Sequence, residues 1–60
     1  MKITTTPFER AELTRMAQAI ENKYISDYIL KTIEPLTIEL SEYDYLMGKY
    51  RCWLNWNEAA

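Results

Sequence analysis

The side chains that most often do chemistry are thinly represented in this chain. There is no histidine, Cys52 is the one cysteine and Gly48 the one glycine. A nucleophile here has no imidazole base beside it, a structural zinc site has no ligand set, and a phosphate-cradling loop has no glycines to build it. The pairs Glu39 with Glu42 and Glu39 with Asp44 hold acids that could pass a proton. Acids in a first helical turn are more simply explained by the positive end of the helix dipole. Lys49 and Arg51 flank Cys52 closely enough to favour its thiolate, but the position lies near a helix C-terminus, where the dipole opposes one. Cys52 is therefore expected to be a small buried hydrophobe. No catalytic, cofactor-binding or metal-ligating residue is assigned, and no cofactor is expected.

The aromatic residues are the informative set. Tyr43, Tyr45, Tyr50, Trp53 and Trp56 fall together near the C-terminal end. Aromatic platforms stack the bases of single-stranded nucleic acid, but such sites also need a positive groove, and Lys49 with Arg51 make a thin one. Trp, Tyr, Met and Arg concentrated on one segment are instead the residues enriched at the centres of protein interfaces. The expected partner-binding residues are Tyr45, Arg51, Cys52, Trp53, Asn55 and Trp56.

These residues must be carried by a helix. At about 100° per residue, Tyr43, Leu46, Met47, Tyr50, Trp53 and Leu54 make one apolar face over 42–57, and Tyr45, Cys52 and Trp56 make a second roughly 140° away. Ser41 is the expected cap. A helix apolar over most of its girth is either central or shared with a partner, and sharing is the reading preferred here. Gly48 in its middle costs about 1 kcal/mol against alanine, either to admit another helix closely or as a tolerated defect.

Upstream, Thr6-Pro7-Phe8-Glu9 combines a capping threonine, a proline at the first helical position and a glutamate that closes a capping box. A helix over 6–22 follows, with Leu13, Met16, Ala17, Ile20, Tyr24 and Tyr28 on its inner stripe. Ile25, Ile29, Leu30 and Ile33 form a second stripe nearly opposite the first, so the chain is expected to bend or break near Asn22-Lys23. A weak restart at Ser26-Asp27 and an Asp27 to Lys31 pair then support a helix over 24–34. Pro35 ends it. Leu36 to Leu40 alternates apolar and polar residues as a minimal strand or an extended linker, and Lys2 to Thr5 is the one segment able to pair with it. The expected fold is a single domain over 1–60, all-α with three helices and an extended 36–40 segment; the alternative is α+β with a short strand pair.

Sixty residues with 48% apolar and 13% aromatic side chains are too rich in core formers for disorder. Ordering costs roughly 1.5 kcal/mol per residue, so a lone chain of this size sits near zero net stability and a partner subunit is expected, most simply in a dimer. Nine acids against seven bases are interleaved along the chain. That leaves neither a basic stripe for a phosphate backbone nor a dense acidic face. With no long apolar run, no membrane segment is expected, and an unpaired cysteine fits the reducing cytoplasm. In size, in its start at Met1 and in its lack of catalytic parts, the chain resembles the broad class of small stand-alone proteins of phages and mobile elements, many of which block a larger host protein. No motif carries that resemblance. The function expected is a non-enzymatic protein-interaction module, an inhibitor or adaptor acting on a larger protein. Its alternative is a dimeric nucleic-acid-binding regulator in which Arg10, Arg15, Lys49 and Arg51 converge.

Overall fold

In the computed structural model, which describes the backbone of residues 1–59 and the side chains of residues 1–57, the elements run β1 (Lys2–Thr4), α1 (Pro7–Ala19), α2 (Lys23–Thr32), β2 (Thr37–Glu39) and α3 (Leu40–Ala59). The three helices hold 72% of the chain. The short antiparallel sheet makes it α+β rather than all-α. Ile3 faces Ile38, with Lys2 opposite Glu39 and Thr4 opposite Thr37. The pairing wins over a free linker because Ile38 is buried and Ile3 packs against the core. Further bonds extend the ladder at both ends: Thr5 N–H donates to the Leu36 carbonyl and Leu40 N–H to that of Met1, each at 2.9 Å.

The capping box forms as the local sequence dictates. Thr6 Oγ1 accepts from Glu9 N–H at 3.1 Å, and Glu9 Oε1 accepts from Thr6 N–H at 2.9 Å. α1 stops three residues earlier than 22, because Ile20 leaves helical geometry with ψ at 126°. The break is real, and the restart signal is Asn22 rather than Ser26-Asp27. Asn22 Oδ1 accepts from the backbone of Tyr24 (3.0 Å) and Ile25 (3.2 Å), the geometry of an N-cap. Ser26 instead donates its hydroxyl to the Ala17 carbonyl at 2.8 Å, tying the two helices across the bend.

That bend rotates the second half of the expected inner stripe outward. Tyr24 is 85% and Tyr28 45% exposed, so neither belongs to the core. Ile29 and Ile33 of the opposite stripe are buried, while Leu30 is exposed. Asp27 and Lys31 do not close an ion pair; among the described residues the ion pairs are Met1 to Glu39 and Glu12 to Arg15. α3 starts at Leu40, straight out of β2, so Ser41 lies inside the first turn instead of capping it.

The core is Leu13, Met16 and Ala17 from α1, Ile29 and Ile33 at α2, Ile38 from β2 and Leu46 from α3. Burying each large side chain among them stabilises the fold by about 1.5–3 kcal/mol, a modest total for a chain that must order three helices.

Candidate protein-interaction face

α3 divides its girth as the periodicity predicts. Leu46 is fully buried, and Tyr43, Met47, Tyr50 and Trp53 pack half-buried against the core. On the other side Tyr45 is 52% and Trp56 81% exposed, and Ser41, Asp44, Gly48, Arg51, Cys52 and Asn55 are exposed as well. Cys52 is therefore not the buried hydrophobe expected from its dipole position; it is a free, exposed thiol. No other part of the chain approaches Gly48, and a Cβ there would meet nothing within 4 Å. Of the six expected partner-binding residues, Tyr45, Arg51, Cys52, Asn55 and Trp56 share the outer side, whereas Trp53 turns inward.

The inner side of α3 is clamped to α1 by a polar-aromatic lattice. Tyr50 Oη donates to Glu12 Oε1 at 2.5 Å, and Tyr43 Oη donates to Glu9 Oε2. Arg15 donates to the same Glu12 carboxylate from Nε (3.2 Å) and Nη2 (3.0 Å). Its guanidinium carbon then sits 4.8 Å from the centroid of Trp53, which lies against Tyr50 at 6.0 Å. The backbone hydrogen bond from Thr6, followed by the Tyr43 hydroxyl, holds the Glu9 carboxyl below its ordinary value. The Arg15 hydrogen bonds, followed by that of Tyr50, do the same for Glu12. Accepting carboxylates push both tyrosine hydroxyls up. Glu12 and Arg15, off-centre residues by helical periodicity, are thus structural partners of α3.

Between the outer side of α3 and the end of α1 lies an open groove of about 650 Å³. Met16, Ile20, Tyr45, Gly48, Cys52 and Trp53 line it, and Asp44 and Lys49 are its charged members. Lys49 Nζ lies 5.5 Å from the centroid of Tyr45, a cation over an aromatic face. Tyr28 of α2 meets Tyr45 edge-on at 6.3 Å, an aromatic contact between α2 and the outer side of α3. Ile20, expected on the inner stripe of the first helix, does pack against the core and also reaches the groove, whereas Tyr28, expected on the same stripe, instead meets Tyr45.

Two of the four cations of the nucleic-acid alternative are occupied inside the fold. Arg10 Nη1 donates to the Pro35 carbonyl (3.0 Å) and Thr5 Oγ1 (3.3 Å), and Nη2 donates to the Glu34 carbonyl (3.3 Å). Arg15 is held as described above. Among the described residues, no group of three or more metal-binding side chains gathers and no buried side-chain polar atom lacks a partner. No helix among them is long and apolar enough to cross a membrane. No protein family matches the chain, and neither a characterised protein nor a solved structure is similar to it.

Proposed function

We propose that this chain is a non-enzymatic protein-interaction module, an inhibitor or adaptor that works through the outer side of α3. The observation that carries the reading is the exposure of Trp56 and Tyr45 beside an apolar groove, on a helix whose opposite side already supplies the core. Trp and Tyr at such positions are the usual anchors of binding, and Arg51 and Asn55 provide the polar rim. Trp56 is the anchor for a larger target protein, and self-association of the chain uses the neighbouring Tyr45 side of the same face. The occupied guanidinium groups of Arg10 and Arg15 weigh against a nucleic-acid regulator.

Capture of binding proteins from a native extract tests this, with wild type compared against Trp56→Ala and against Gln18→Ala, an exposed control on α1. A target retained by wild type and by the control, and lost with Trp56→Ala, is the expected outcome. Retention of a nucleic acid that falls away steeply between 50 and 200 mM salt, with no protein, would reverse the reading.

A further inference from the structure

We propose that α3 pairs with α3 of a second copy in an antiparallel, two-fold arrangement whose register is written in the charges flanking its outer side. The inference rests on the reading of the outer side of α3 as a protein-binding surface and specifies its first occupant. Ser41, Tyr45, Gly48 and Cys52 recur along that side at alternating spacings of four and three residues, the seam of a paired helix. One flank of the seam carries Asp44 and Arg51, two turns apart; the other carries Glu42 and Lys49, also two turns apart. Each flank thus holds one acid and one base. None of the four is engaged in an ion pair among the described residues.

When two such helices run antiparallel, each flank of one meets the same flank of the other. Asp44 then meets the partner's Arg51, and Glu42 meets the partner's Lys49. Both matches occur in a single register, and the two-fold axis repeats them to give four opposite-charge contacts. That register also sets Tyr45 over the partner's Gly48, where a side chain enters space that the missing Cβ leaves open. Cys52 falls over the partner's Ser41. A parallel pair would match Asp44 with the partner's Lys49 but leave Arg51 and Glu42 unmatched. It would also stack Tyr45 on tyrosine and Gly48 on glycine, crowding one layer and emptying the next. Charge and size both select the antiparallel form.

The axis passes between Tyr45 and Gly48. Trp56 lies about 14 Å along the helix from it and projects past the start of the partner's α3. The dimer therefore covers Tyr45 and the groove while leaving Trp56 for a larger target.

Sedimentation equilibrium of the purified full chain at micromolar concentration reads the pairing directly. A dimer that weakens as salt rises is expected. Asp44→Arg and Arg51→Asp should each weaken dimerisation roughly ten-fold, and the two together should restore it to within about three-fold, because the swap rebuilds the same contacts with the signs exchanged. Circular dichroism of these exposed-site variants should be unchanged. Under mild oxidation, Ser41→Cys should give a disulfide-linked dimer joined between positions 41 and 52. A monomer at all concentrations, failure of the double swap to restore association, or wild-type chains cross-linking Cys52 to Cys52 would overturn the proposal. Loss of target capture with Trp56→Ala is a separate measurement, so this register can fail while the broader reading stands.

Discussion

Tyr50 and Glu12, thirty-eight positions apart, are joined by a 2.5 Å hydrogen bond that closes α3 onto α1. Arg15, bound to the same carboxylate and stacked over Trp53, completes a ring of contacts in which each member restrains the next. Tyr43 and Glu9 make the same link about one turn nearer the start of α1 and two turns nearer the start of α3.

This pairing makes stability depend on pH at both ends of the scale. Glu9 and Glu12 titrate below their ordinary value near 4.5 in the folded chain, so their stabilisation is present above that pH and is lost as pH falls through the lowered values. Tyr43 and Tyr50 titrate above 10, so their stabilisation is present below that pH and is lost as pH rises through the raised values. Replacing both tyrosines by phenylalanine should flatten the acid limb of urea stability against pH. An acid limb as steep as that of wild type would refute the linkage.

Arg10→Ala should destabilise the chain by about 0.5–1.5 kcal/mol, because the solvent-accessible Glu34 and Pro35 carbonyls lose their donor where the chain turns from α2 to β2. Arg10→Lys should rescue only part of this, since one ammonium cannot copy the fork. A thermal midpoint unchanged in Arg10→Ala would count against the role.

Asn22→Ala removes the acceptor that starts α2 and should cost about 1 kcal/mol. Asp27→Ala, at the position first suggested as the restart, should cost less. The denaturation midpoints of the two variants rank the caps directly.

Gly48→Ala and Leu46→Ala should act in opposite directions although they are two residues apart. Leu46 is fully buried, and truncation should cost about 2–5 kcal/mol. A Cβ at Gly48 meets nothing, so alanine should raise the stability of the isolated fold by up to about 1 kcal/mol. If Gly48→Ala destabilises the chain under conditions where it is monomeric, the open space at that position is wrong.

What the sequence disclosed follows the range of the interaction. The Thr6 to Glu9 capping box is complete within four residues, and the two faces of α3 are a matter of helical period, so both were readable. The strand pair appeared only as an alternative because Ile3 and Ile38 meet across most of the chain, where neither segment alone exceeds minimal strand length. Tyr24 and Tyr28 were misassigned because the stripe was continued through a bend that Asn22 makes. The Tyr50 to Glu12 and Arg15 to Trp53 contacts had no local signature at all. Of the interaction face, Tyr45 and Trp56 were legible by period, whereas the groove exists only once the end of α1 is set against α3. Cys52 was read both as a buried hydrophobe, from the dipole at its position, and as a neighbour of Tyr45 and Trp56 by helical period, and only its place on the exposed face holds.

The β1–β2 pairing sets an order of events during synthesis. α1 and α2 are neighbours in sequence and share the Ser26 to Ala17 bond, so they can associate as soon as both have left the ribosome. β1 is made first of all the elements, yet its partner β2 is made after both of those helices. The clamp from Glu9 and Glu12 waits longer still, for Tyr43 and Tyr50. Until then the apolar side of the α1–α2 hairpin stays uncovered, exposing surface that α3 later closes over.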